Sequence, residues 1–182
     1  METWKAFDQN PVTHSAAHHL VAIAELLEER GYARVSDVAR LLEITRGSAS
    51  VTLKGLKQRG LVIEDDRRFL GLSDEGRQIA TAIVAKKKIL QTLFVDLLGV
   101  EPQQADVDTC KIEHLISNAT AGRAGRLLSF LQSGASEVAP FLEALERFGG
   151  WTGDDPADFP PDQVEELELH ETDDHDHGGG HR

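Results

Sequence analysis

Cysteine occurs once in the 182 residues, at Cys110. A lone thiol cannot build an internal disulfide framework, so the fold has to rest on buried apolar side chains, and Cys110 is left as a packing residue, a ligand or a nucleophile. Long apolar runs are missing as well. No stretch reaches the roughly 18 apolar residues that a membrane-crossing helix needs, and the opening METWKAFDQN has neither a basic n-region nor an apolar h-region. A soluble cytoplasmic protein with no membrane partner is the expectation. Positive charge is scarce too: 19 lysines and arginines face 31 aspartates and glutamates, a net charge of −12.

That average hides a division. Residues 151–182 hold eleven carboxylates against Arg182 alone, whereas Arg34 to Arg68 contains eight basic residues and five acidic ones. A locally basic region inside an acidic chain keeps nucleic acid open as a partner.

Apolar residues recur with a helical period from His14 to about Arg30, at Leu20, Ile23, Ala24 and Leu27, and Gly31 suits a stop. Ser36 is read as the N-cap of a second helix, DVARLLE. After ITRGS a third periodic stretch, SASVTLKGLKQRG, turns Val51, Leu53 and Leu56 inward and ends at Gly60. LVIE and FLGL, separated by DDRR, read as a β-hairpin. Three helices and a hairpin make a winged helix-turn-helix over residues 1–72. Its third helix would offer Arg46, Ser48, Ser50, Thr52 and Lys54 to base edges and phosphates, while Lys57, Arg59, Arg67 and Arg68 would neutralise backbone charge.

Ser73 then caps DEGRQIATAIVAKKKILQTLFVDLLG, whose isoleucines and leucines mark a helix of some 25 residues. ADVDTCKIEHLI and AGRAGRLLSFLQ supply two more. An all-helical dimerisation domain over residues 73–149 would pair two reading heads on palindromic double-stranded DNA. The fold class expected is therefore mainly α. In CKIEHLIS, the spacing of Cys110, Glu113 and His114 places three potential ligands on one helix face. A metal, simple packing, or a cysteine nucleophile with a histidine base all remain open from spacing alone.

GYARVSDVARLLEITRGSASVTLKGLKQRGLVIED, LGLSDEGRQIA, the long helix and CKIEHLIS together resemble the metalloregulators of the diphtheria toxin repressor and manganese transport regulator family, over about residues 14–133. The resemblance implies a repressor switched on by a divalent metal held between the winged helix and the dimerisation helices. It adds His18 to Cys110, Glu113 and His114 as the metal site, with C-x-x-E-H as its iron-type version. Fe2+ or Mn2+ is the implied ion; a thiolate with two imidazoles also suits Zn2+ or Co2+. Where the family has a second metal position, this chain carries Lys87 and Val21, so one ion is expected and the Lys87 ammonium could stand in for another cation. His14, one turn before His18, could add a ligand, and so could His19.

Residues 150–182 read as an acidic, disordered tail in which His170, His175, His177 and His181 alternate with Asp173, Asp174 and Asp176. The tail could collect transition metal weakly or simply aid solubility. Against the metal-activated repressor stand two other readings: a winged-helix regulator that senses redox state or a small molecule through Cys110, and a metal buffer with no DNA role. Nothing in the sequence points to an enzyme.

Overall fold

The computed structural model describes residues 12–148. Within them, compact units run up to Ala135 and onward from Ser136. The first unit contains α1 (His14–Arg30), α2 (Val35–Leu41), α3 (Arg46–Gln58), the strands β1 (Val62–Glu64) and β2 (Leu70–Leu72), then α4 (Asp74–Thr92), α5 (Pro102–Ile112) and α6 (Asn118–Leu131). The second holds α7 (Val138–Phe148), which exposes Phe141, Leu142 and Leu145.

Side-chain caps set most helix starts. Thr13, Thr45, Ser73 and Ser117 each accept a backbone N–H three residues on, from Ala16, Ser48, Gly76 and Thr120. Gly31 at φ 74° and Gly60 at φ 71° take the left-handed conformation that ends α1 and follows α3. α2 differs from expectation: it begins at Val35 after an extended Arg34 with no side-chain cap, so Ser36 lies inside its first turn.

Leu20, Ile23 and Leu26 of α1, Val38 and Ala39 of α2, and Ala49, Leu53 and Leu56 of α3 close one core with Leu61, Leu70 and Leu72. Val51 is a correction, because it is 74% exposed and Ala49 fills the inward position. The hairpin is antiparallel with Val62 opposite Leu72 and Glu64 opposite Leu70. Ala33 adds a third-strand bridge through its carbonyl, which accepts the Leu70 N–H at 2.8 Å. At the tip the Asp65 carboxylate accepts the N–H groups of Arg67 and Phe69, and Arg68 adopts φ 65°.

The junction from wing to long helix is tight. The Leu61 carbonyl accepts from both the N–H and the hydroxyl of Ser73, and a Cβ on Gly76 would stand 2.1 Å from that oxygen. α4 is shorter than the 25-residue expectation: after 19 residues the backbone widens into a π turn, Leu93–Leu97, which ends before Gly99 at φ 69°. α4 packs against α1, α5 and α6. Near Gly125 a Cβ would come within 3.1 Å of Ile89, so α6 lies close on α4.

Candidate metal centre and nucleic-acid interface

His14 and His18 are one turn apart on α1, hence on one face. That face meets the end of α5, where Cys110 Sγ lies 3.3 Å from His18 Nε2 across 92 residues of sequence. The ligand atoms of His14, His18 and Cys110 all fall within 4.8 Å of one another. The His14 ring is 4.4 Å from that of His18 and 4.9 Å from that of His114, centroid to centroid. His14, treated in the sequence as an optional ligand, is therefore central to the group. His19 is outside it: the side chain is buried and its Nδ1 is 2.6 Å from the Ser15 carbonyl.

Glu113 and His114 are not in the regular helix that the spacing implied. α5 ends at Ile112, and the two residues continue its winding into a turn, with Glu113 N–H still donating to the Thr109 carbonyl. Glu113 is only 3% exposed, and among the described residues neither its Oε2 nor the buried Nδ1 of His114 has a hydrogen-bond partner. Buried polar atoms without partners cost free energy, on the order of 1–3 kcal/mol each. The thiol and two imidazoles that converge within 4.8 Å fit a cation, while Glu113 and His114 are not in that group and follow Cys110 in the chain with orphaned polar atoms of their own.

The electrostatics agree with ligand chemistry. Burial, then the neighbouring His14, lowers the pKa of both His18 and His114, with Lys87 contributing at His18 and Lys86 at His114; both rings are kept in the neutral form that donates a lone pair. Burial also raises Glu113, although Lys87 opposes it. At Cys110 burial and then Glu113 push the thiol up against a smaller pull from Lys87. A thiol so raised is a poor nucleophile and a poor redox sensor on its own, since reactivity follows the thiolate.

Lys87 and Val21, which stand where the resemblance raises a second position, both have protein partners. Lys87 Nζ pairs with Asp106 Oδ1 at 3.0 Å. Burial draws the lysine pKa down, but the Asp106 bond and charge, with Glu113 and Cys110 behind, prevail and raise it. Its neighbour Lys86 donates to the Ile116 carbonyl at 2.7 Å. The two lysines of α4 thus bind the chain on either side of Cys110–His114, at Asp106 and Ile116. Val21 packs half-buried against the core of the winged helix.

On α3 the buried Ala49, Leu53 and Leu56 turn the opposite face outward. Ser48, Ser50, Val51 and Lys54 are exposed, and Thr52 is half-buried. The Ser48 hydroxyl lies 2.9 Å from that of Thr45, and the Ser50 hydroxyl donates to the Arg46 carbonyl. Lys57 is engaged by Glu64 of β1, which also pairs with Arg68 at 3.6 Å. Those two basic residues are therefore partly neutralised within the fold. Between α3 and the wing an open hollow of about 430 Å³ is lined by Arg34, Arg46, Arg67 and Arg68 with Glu64 on its wall. Arg34, stacked 4.5 Å over the Phe69 ring, was not singled out by the sequence reading. Arg59 is exposed at the C-cap of α3. The acidic, histidine-rich tail lies outside the described residues.

Comparison with known proteins returns the same two halves. Residues 73–135 match the model of the iron dependent repressor metal binding and dimerisation domain, and residues 12–68 match a MarR family model. Over 151 residues the chain is 30% identical to the HTH-type transcriptional regulator MntR of Shouchella clausii, covering 83% of this chain and 99% of that one. It is 32% identical over 135 residues to MntR of Geobacillus kaustophilus, covering 74% and 95%. Among solved structures, a manganese-dependent transcriptional repressor in complex with manganese superimposes with TM-score 0.55 at 26% identity, over 63% of this chain and 53% of that one. The T. acidophilum IdeR structure gives 0.54 at 23% identity, over 65% and 55%. The chain thus spans about half the length of these two solved structures, and IdeR speaks for the fold alone.

Proposed function

Since the chain belongs to the family of MntR-type regulators and iron-dependent repressors, we propose that it is a divalent-metal-activated repressor acting as a cytoplasmic homodimer on double-stranded operator DNA. The observation that carries this reading is the 3.3 Å approach of His18 Nε2 to Cys110 Sγ. It joins α1, which packs against α2, α3 and β2 of the winged helix, to the helix that follows α4.

His18, Cys110, Glu113 and His114 are the ligands of this proposal. When bound, the ion supplies the charge that lets Cys110 stay a thiolate at neutral pH and gives donors from both segments a common anchor. His18 and His114 offer neutral nitrogens; Glu113 contributes a carboxylate whose free oxygen has no other partner. Held together in this way, α1 and α5 fix the winged helix against the dimerisation helices, and the two reading heads keep the spacing that successive half-sites demand. A coupling of about 1–3 kcal/mol is typical of such switches, and by linkage operator DNA would tighten the ion by the same factor. The thiol at Cys110 weights the site toward Fe2+ over Mn2+, with Zn2+ and Co2+ also accommodated.

On the DNA side, the exposed face of α3 would enter the major groove. Val51 and Lys54 would face base edges there, with Val51 suited to a thymine methyl. Arg34, Arg46, Arg67 and Arg68, around one hollow, would take phosphates. Residues 1–72 form the reading head in this account and residues 73–149 the metal-binding and dimerisation part. Exposed Leu127 and Phe130 on α6 support a partner surface there. A Cys110 redox sensor is not favoured, given the raised thiol pKa.

The test is operator affinity measured anaerobically under reducing conditions, with Fe2+ or Mn2+ added and then chelated. Affinity should rise with metal and fall with chelator. Affinity indifferent to both would refute the proposal.

A further inference from the structure

Two pairs of donors face each other in the cluster, each pair separated by one turn of winding. His14 and His18 come from α1, Cys110 from the last turn of α5 and His114 from the turn that continues its winding. Such i, i+4 pairs put two ligands on one side of a helix, within reach of one ion. His18 Nε2 lies 3.3 Å from Cys110 Sγ, and the His14 ring lies 4.4 Å from that of His18 and 4.9 Å from that of His114, centroid to centroid; the ligand atoms of His14, His18 and Cys110 all fall within 4.8 Å of one another. Two ligands of one four-coordinate ion stand about 3.6 Å apart when one is sulfur and the other nitrogen, close to the 3.3 Å observed between Cys110 and His18.

We infer that His14 is a ligand of the same centre, so that α1 contributes two imidazoles and the donors become three nitrogens and one sulfur beside the Glu113 carboxylate. The inference rests on the metal-centre reading above and adds to it both a residue and a class of ion. Three imidazoles and a thiolate form a borderline-soft set that suits Fe2+, Co2+ and Zn2+ at low coordination number, whereas Mn2+ prefers carboxylates and water. Glu113, whose Oε2 is buried and unpartnered, then offers a carboxylate to widen the coordination when the ion requires it. His14 is well placed for this service: Thr13 caps the helix at its foot, so its backbone is fixed, yet the ring itself is exposed and can turn onto an incoming ion.

Cobalt gives a readout independent of DNA. The full-length protein, reduced and freed of metal, would be titrated with Co2+ while thiolate-to-cobalt charge transfer in the near ultraviolet and ligand-field absorption in the visible are recorded. Wild type should show both. His14→Ala should keep the charge-transfer band, since Cys110 still binds, but weaken the ligand-field bands and lower Co2+ and Zn2+ affinity by about tenfold or more. Mn2+ affinity should change far less, and free imidazole should restore part of the visible spectrum. An unchanged spectrum and affinity in His14→Ala, beside a wild type with clear charge transfer, would overturn the role of His14 alone. Absence of charge transfer in the wild type would overturn the cysteine-containing metal centre itself, and this inference with it. A melting curve of His14→Ala matching the wild type shows that a loss of binding is not a loss of fold; a lowered one moves the test to His14→Gln, to which the same outcomes apply.

Discussion

Substituting Gly76 by alanine tests whether the wing and the long helix are joined as tightly as described. A Cβ there would stand 2.1 Å from the Leu61 carbonyl oxygen and 3.0 Å from its carbon, both backbone atoms. Relief requires the strand or the first turn of α4 to withdraw by more than about 1 Å, given a usual contact of about 3.4 Å or more. The same oxygen accepts from the Ser73 N–H at 3.1 Å and its hydroxyl at 3.3 Å. Withdrawal would stretch or break both bonds, each contributing about 0.5–1.5 kcal/mol. Overpacking adds about 1–3 kcal/mol, and the better helix propensity of alanine returns about 1 kcal/mol. The net loss is about 3 kcal/mol. For a chain of this length that corresponds to a fall in Tm of about 6–12 °C. Thermal unfolding followed by circular dichroism measures it, with Gly122→Ala as the control, because a Cβ there meets nothing within 4 Å and alanine should stabilise α6. A Gly76→Ala protein that melts at or above the wild-type temperature would refute the close-approach argument.

In operator binding, His18→Ala should retain part of the metal through Cys110, Glu113 and His114 yet lose most of the metal dependence, about 5–150-fold; a full response would place the switch elsewhere. Cys110→Ala should lose both metal and response, as read by metal analysis alongside gel-shift titration. Arg46→Ala and Arg67→Ala should each weaken binding to all sequences and shallow the salt dependence by about one unit if each meets a phosphate, whereas Lys57→Ala, whose ammonium is already taken by Glu64, should change the slope less. A steeper loss for Lys57 than for Arg67 would reverse that assignment. Metal analysis of a chain truncated at about residue 150 should find one tightly bound ion per subunit, and two would refute the reading of Lys87 as a substitute cation.

Much of this architecture was legible because it is local. The winged helix-turn-helix could be traced from its apolar periods, Gly31, Gly60 and the Asp65–Arg68 turn, and the cap at Ser73 stands where serine precedes an apolar run. Val51 was misplaced against the helix period itself: it precedes Leu53 by two residues, about 200° around the axis, so it cannot share the face of Leu53 and Leu56. α7 was not among the helices expected; its Pro140 falls in the first turn of a helix that starts at Val138, where proline is tolerated. The end of α5 has no glycine to announce it; Ile112 simply accepts from both Leu115 and Ile116. His14 could be noticed by its spacing from His18, but its convergence on Cys110 and His114 depends on the approach of α1 to α5, which no local pattern encodes. Lys57 likewise reads as a free cation until the hairpin brings Glu64 beside it.

The Lys87–Asp106 pair also shapes how such a regulator would report metal concentration. A second exchangeable ion would make occupancy a product of two binding steps and steepen the response of every subunit. A lysine never leaves with chelation or arrives with supply, so with Lys87 in place of a second ion each subunit would have one saturable step and a graded hyperbolic occupancy curve. Any sharper threshold in the output must then come from two subunits engaging one operator together, which makes steepness a property of the DNA site and its symmetry rather than of the metal centre.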